Sequence, residues 1–171
     1  EEVESLVARD IRANPGTDFW YGGVGLNIVG HVLEVISKKK FDILIKTKLL
    51  NPLAMRKTSF SNQDGAINPS GGALSTADDY MHFLLMLLNK GKYNGVQVLS
   101  ENSVNEMMKV QTNASQIKYA PKAASGFNYA SGSWVIEDNR NGVATCLASP
   151  GLFGTWPMID FCRGYVYIVF V

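Results

Sequence analysis

A phenol, hydroxyl or imidazole becomes reactive only where its neighbours activate it. Few stretches of this sequence offer such neighbours. The first is residues 15–25, PGTDFWYGGVG, where two turn formers lead into Phe19, Trp20 and Tyr21 and then into glycines. Glycines ahead of a helix can cradle a phosphate, but such loops follow a buried strand. Asn14-Pro15-Gly16-Thr17-Asp18 is not one, and no Gly-Lys-Ser/Thr follows. Two readings stay open: a core plug ahead of a turn, or the presentation of a reactive Tyr21. Serine and lysine also stand three apart at Ser37–Lys40 and Ser115–Lys118. A Ser-x-x-Lys nucleophile needs its serine at the start of a buried helix. Ser37 ends a helical pattern instead, and Ser115 lies in a polar, irregular stretch.

The remaining polar residues carry less. His31 and His82 have no carboxylates at ligand spacing, so neither suggests a metal, and no cofactor is called for. Asp78 and Asp79 suit the first turn of a helix that Ser75 or Thr76 would cap. Capping is also the simpler account of Ser75 than a nucleophilic role. Cys146 and Cys162 lack metal-ligand spacing, and two thiols make no disulfide scaffold.

These residues need elements to position them. Val3, Leu6, Val7 and Ile11 share a side of an amphipathic helix over 2–13. Residues 24–37 are apolar on nearly all faces, as a buried helix is. A third helix, 41–50, stops at Asn51-Pro52. After a polar loop down to Gly71-Gly72, a leucine-rich helix begins at Ser75-Thr76 and stops at Gly91. A turn falls at Asn94-Gly95, and Ser100 caps a helix over 101–109. Beyond an irregular stretch, the period changes. Residues 127–137, 142–148, 154–160 and 164–171 are short, β-branched or aromatic, and punctuated by Gly, Asn, Asp or Pro, as antiparallel strands are. The organisation is a helical lobe (1–110), a connection (111–126) and a sheet portion (127–171).

A chain of 171 residues, 46% hydrophobic and 18% charged, supports one cored domain. Its formal charge of +1 points to no nucleic-acid or anionic-membrane partner. No apolar run reaches a membrane span. The chain opens without methionine on Glu1-Glu2-Val3 and stops at Val171 within an apolar strand pattern, which suggests a piece of a longer protein.

Three blocks add a further signal: PGTDFWYGGVGLNIVGHVLEVISKKKFDILIKTKLLNPLAMRKTSF, GGALSTADDYMHFLLMLLNKGKYNGVQVLSENSVNEMM and ASPGLFGTWPMIDFCRGYVYIVFV. In this order they resemble the β-lactamase-related serine hydrolases of the class C and penicillin-binding type. The resemblance covers nearly the whole chain. It implies an α+β, β-lactamase/transpeptidase-like fold in which a helical lobe and an antiparallel sheet flank a cleft. It implies a serine that forms an acyl-enzyme on an ester, amide or peptide. Tyr21 would then be the second-motif tyrosine, a proton shuttle. A free phenol titrates at about 10, so neighbouring cations would have to assist it.

The chain departs from that family twice. Gly23 stands where the family has the substrate-holding Asn of Tyr-x-Asn. Ser149-Pro150-Gly151 stands where a Lys- or His-Thr-Gly motif is expected, on what the family makes an edge strand. The resemblance makes Gly23, Ser149, Gly151 and Leu152 the substrate-binding positions, with the Leu152 N–H in an oxyanion hole. The lost amide and cation favour an esterase, amidase or peptidase over a true β-lactamase. Both Ser-x-x-Lys matches follow the second motif, whereas the family places its nucleophile before it. The catalytic serine is therefore expected upstream of Glu1, and residues 1–171 alone are expected to be inactive. The partners implied are a small-molecule or peptide substrate and the remaining N-terminal part of the same fold, in a bacterial periplasmic or extracellular setting. The alternative is a non-catalytic relative that binds a peptide or cell-wall fragment in the same cleft, or an interaction domain that shares only the fold.

Overall fold

The computed structural model describes Ser5, residues 10–60 and residues 67–171. Most of the helix expected over 2–13 lies outside them. Ser5 is helical, while residues 10–13 are not.

In chain order the elements begin with β1 (Phe19–Trp20), α1 (Gly23–Ser37) and α2 (Phe41–Ile45), which runs on as a π-helical turn, Lys46–Leu50. Two short strands follow, β2 (Ser59–Phe60) and β3 (Ala73–Leu74), and then α3 (Ala77–Leu88). Next come β4 (Lys92–Tyr93), β5 (Val96–Gln97), α4 (Glu101–Met107) and β6 (Ile117–Tyr119). The chain closes with β7 (Asn128–Tyr129), β8 (Trp134–Asp138), β9 (Ala144–Ala148), β10 (Trp156–Asp160) and β11 (Tyr165–Val169). These last five form one antiparallel sheet in the order β11-β10-β9-β8-β7. The stretch expected as one strand over 127–137 is two, folded back at Ala130–Ser133, where Gly132 takes φ 93° and the Ala130 N–H donates to Ser133.

Local signals explain the helix ends. Thr76 caps α3 by accepting from the Asp79 N–H at 3.3 Å, with Asp78 and Asp79 in the first turn. Ser100 caps α4, accepting from Ser103 at 3.0 Å. Asn94 and Gly95 both take positive φ, which gives the tight turn between β4 and β5.

The core lies between α3 and one face of β10 and β11. Leu50, Leu53, Met55, Leu84, Met86, Leu87, Val104 and Ile159 form it, flanked by Val166 and Ile168. Burying each large side chain stabilises the fold by about 1.5–3 kcal/mol. A second cluster (Ala130, Val135, Ala144, Leu147) packs elsewhere on the sheet. Asp79 ties the helical part together. Its buried Oδ2 accepts from the Lys57 N–H at 2.7 Å and the Thr58 hydroxyl at 2.8 Å.

Two expectations need correction. Residues 24–37 do form a helix, but among its residues only Gly30 is buried. Val24, Leu26, Val29, Val32, Val35 and Ile36 are exposed. Gly30 faces Pro69 and Phe41, and Gly23 faces Ser70, so one stripe of α1 is packed while the rest meets no covering element among the described residues. Second, β9 itself is the central strand of five and not an edge; only past Ala148, where β8 stops pairing, does the segment from Ser149 have a single neighbour. Pro150 is tolerated there. The N–H groups of Ser149 and Gly151 donate toward Pro157 and Thr155, at 3.2 and 2.7 Å. By alternation, residue 150 would donate to the opposite side, toward β8. That strand's pairing ends at Trp134↔Ala148, so no ladder bond is lost there.

Candidate active site

Tyr21 follows β1, whose parallel pairing with β6 fixes its backbone. The Phe19 N–H donates to Gln116 and the Tyr21 N–H to Tyr119, at 2.8 and 3.1 Å. Lys118 approaches Asp18 at 3.9 Å across the same pair. The expected irregular connection 111–126 therefore holds a strand that positions the tyrosine.

The aromatic residues gather around one pair of rings on the sheet. Phe19 is a plug: its ring lies 4.8 Å from Tyr129 and 6.2 Å, edge-on, from Trp134. Tyr21 is half-buried against the same pair, 5.3 Å from Trp134 and 5.9 Å from Tyr129. Its hydroxyl makes no hydrogen bond among the described residues. Tyr129 contrasts with it: burial first, and the neighbouring Tyr21 second, push the Tyr129 phenol up to about 12.

Trp134 links the tyrosine to the sheet. It is 1% exposed, and it pairs with Tyr129 on β7 and with Ala148 on β9. Ser149 is the next residue along, so Trp134 carries Tyr21 on its ring and, through its backbone pairing, adjoins the strand that leads into Ser149–Leu152. Ser149 also borders a cavity of about 120 Å³ lined by Tyr80, Phe83, Ser131, Ser133 and Pro157. Gly151 is tied to Thr155. Leu152 is 93% exposed, and its N–H donates to nothing among the described residues.

Gly23 opens α1, and the space beside it is filled. A Cβ there would lie 2.6 Å from the Ser70 Oγ and 3.1 Å from the Ser70 Cβ. Ser70 had no place among the candidates read from the sequence. Contact between α1 and a loop some forty residues on leaves no local signature, and the serine ahead of Gly71-Gly72 was the only available hint.

The other candidates have structural duties. Lys118 donates to the Ser115 carbonyl, not to its hydroxyl, and the Ser115 Oγ bonds Asn113 at 2.6 Å. Ser37 ends α1. His82 Nδ1 meets the Leu53 carbonyl at 3.0 Å, and its ring lies against Tyr93. His31 is exposed, 3.7 Å from Glu34. Ser75 does not cap α3. Its hydroxyl shares a 2.7 Å hydrogen bond with Thr58, which bonds Asp79. Cys146 and Cys162 are both free, the first buried and the second exposed. Among the described residues no helix is long and apolar enough to cross a membrane.

Comparison with known proteins decides the family. A family model described as Beta-lactamase matches residues 3–171. The chain belongs to the beta-lactamase family. Among solved structures, a proposed beta-lactamase from Bacteroides dorei DSM 17855 superposes with a TM-score of 0.86 at 29% identity, covering 98% of this chain and 54% of that one. The octameric penicillin-binding protein homologue from Pyrococcus abyssi gives 0.73 at 20% identity, over 98% of this chain and 42% of that one, which is a likeness of fold. Protein Rv1367c of Mycobacterium tuberculosis (strain ATCC 25618 / H37Rv) is 34% identical over 104 residues, 54% of this chain and 26% of that protein. The chain thus spans about half the length of the B. dorei structure and about a quarter of the M. tuberculosis protein. Its beta-lactamase fold is the α+β arrangement of helices and antiparallel sheet that the three sequence blocks imply.

Proposed function

We propose that this beta-lactamase-family chain is part of a serine hydrolase that works through an acyl-enzyme on an ester, amide or peptide. The observation that carries this reading is Tyr21. It packs at a tilt against the buried Trp134, its hydroxyl makes no hydrogen bond among the described residues, and Trp134 also pairs with the strand that delivers Ser149–Leu152.

In the proposed cycle, a serine attacks the acyl carbonyl, and as its proton passes to the Tyr21 oxygen the phenol hands its own proton to a base supplied by the rest of the fold, a relay that later runs in reverse. The phenol returns that proton to the leaving group as the tetrahedral intermediate collapses, and it repeats the exchange for the incoming water. The Leu152 N–H, without an acceptor among the described residues, is suited to a developing oxyanion. Ser149 offers a neutral hydroxyl where a cation would select a carboxylate. That favours uncharged ester or amide groups over penicillins.

The nucleophile of this scheme lies outside residues 1–171, because neither Ser-x-x-Lys match has its lysine on its serine hydroxyl. The remaining N-terminal part of the fold is proposed to cover the exposed apolar faces of α1. The experiment is fluorophosphonate labelling of the full-length protein followed by peptide mapping. The expected adduct is on a serine outside residues 1–171. An adduct on Ser37, Ser75 or Ser115, or no adduct, contradicts the proposal.

A further inference from the structure

The loop at Asn68–Gly72 is built against α1 through small residues one and two turns apart. Gly30 admits Pro69, Asn27 accepts from the Ser70 N–H at 3.2 Å, and Gly23 leaves the space that the Ser70 side chain occupies. Positions 23, 27 and 30 share one helix face. Any side chain at 23 would start 2.6 Å from the Ser70 Oγ, so the glycine and the serine are alternatives for one volume.

The polarity of that volume is defined. The Oδ1 of Asn68 accepts from the Ser70 N–H at 3.0 Å, the Gly71 N–H at 3.2 Å and the Ser70 hydroxyl at 2.8 Å. Backbone N–H groups only donate, so they fix that end of the amide as oxygen and the other as nitrogen. The Ser70 proton is thereby committed to Asn68, and among the described residues no donor reaches the lone pairs of its Oγ. The Asn68 Nδ2 has no acceptor among the described residues. Together the pair presents an acceptor and a donor, as one carboxamide does. Space filling alone would be met by an alanine.

We propose that Ser70, held by Asn68, is a substrate-binding residue of the Tyr21 site and supplies the polar contact that Gly23 lacks, accepting a hydrogen bond from a substrate N–H beside the scissile carbonyl. This rests on the hydrolase reading above. It makes the site selective for substrates that carry an N–H next to the acyl group, such as N-acylated amino-acid esters and peptides.

The test uses the full-length protein and two probes, the p-nitrophenyl esters of N-acetylalanine and of N-acetyl-N-methylalanine. Ser70→Ala is expected to lower kcat/KM about tenfold on the N–H ester, the worth of one hydrogen bond, and less than about twofold on the N-methyl ester, at unchanged Tm. Gly23→Asn is expected to abolish turnover of both esters by collision with Ser70, and Gly23→Asn/Ser70→Gly to restore it on the N–H ester. Equal losses on both esters in Ser70→Ala, or no loss on either, overturn the inference. If Tyr21→Phe slows both esters while Ser70→Ala slows neither, the hydrolase reading stands and this inference falls. Wild-type rates in Tyr21→Phe, or no hydrolysis of either ester by the wild type, overturn both.

Discussion

Trp134 is where fold and site meet, and its replacement yields the most informative single prediction. The indole is enclosed by Phe19, Tyr21 and Tyr129, with ring centroids 6.2, 5.3 and 4.8 Å away. Truncation of a buried Trp to Ala costs about 3–5 kcal/mol, including the cavity it leaves. The full-length protein should therefore lose about a fifth or more of the stability typical of one domain, about 5–15 kcal/mol. Trp134→Phe keeps one ring and removes a few buried carbons, so its cost should be about 2 kcal/mol. That milder variant isolates the effect on Tyr21. Its ring would lose part of one wall, and a proton shuttle displaced by about 1 Å can lose on the order of a hundredfold in rate. The assay is guanidinium unfolding followed by far-ultraviolet circular dichroism, together with ester hydrolysis at a temperature where both forms are folded. The expected result is a moderate stability loss in Trp134→Phe with a fall in kcat of about tenfold or more. A cost below about 1 kcal/mol in Trp134→Ala, or a fully active Trp134→Phe, refutes the claim that this indole carries the tyrosine.

Other expectations test separate parts of the structure. Asp79→Ala leaves the Lys57 N–H without its acceptor and the Thr58 hydroxyl with Ser75 alone; for these part-buried hydrogen bonds urea unfolding should show a loss of about 1–3 kcal/mol. Cys146 is pushed up to about 11, by burial first and then by Asp160 and Glu137. Its raised value means that stability is fully present below the ordinary thiol range and falls as pH rises from about 8.5 toward 11. Native iodoacetamide labelling at pH 8 should modify Cys162 and spare Cys146, with both modified after unfolding. For Asp160, burial alone would raise the carboxyl, but hydrogen bonds and charge from Arg163 prevail and hold it below the usual carboxylate range. A lowered value makes its contribution present above about pH 4 and lost as pH falls through the folded value. Arg163→Met should therefore flatten the acid side of the stability profile, which a pH series of thermal melts reads directly.

The elements were legible wherever the signal was local. Thr76, Ser100, Gly91 and the Asn94-Gly95 turn marked their boundaries because capping and positive φ depend on a few adjacent residues. The strands of the sheet were legible from composition, except for the fold-back at Ala130–Ser133, where the turn formers Ser131-Gly132-Ser133 divide what was expected to be one strand. Burial was less legible. The pattern of α1 states that its faces are apolar, not what covers them, and most of them are exposed among the described residues. Strand order was not legible either: the strand that leads into Ser149–Leu152 is the central one of five, and an edge-like position begins only past Ala148. Tyr21 was visible through its motif, but its supports are long-range. Trp134, Tyr129 and the β6 partner lie about a hundred residues away, and no local pattern ties them to it. Ser70 was missed for the same reason, since only the packed loop shows that it fills the space left by Gly23.

The central claim is that Tyr21 moves protons for a serine acyl transfer. The most direct measurement is the pre-steady-state acylation rate of the full-length protein with p-nitrophenyl acetate, wild type against Tyr21→Phe. Removing one hydroxyl leaves the ring on Trp134, so folding should be retained. The account predicts a burst of p-nitrophenol in the wild type and a fall in the acylation rate of about a hundredfold or more in Tyr21→Phe, the usual worth of a positioned acid–base group. A burst of equal rate in both proteins would contradict it.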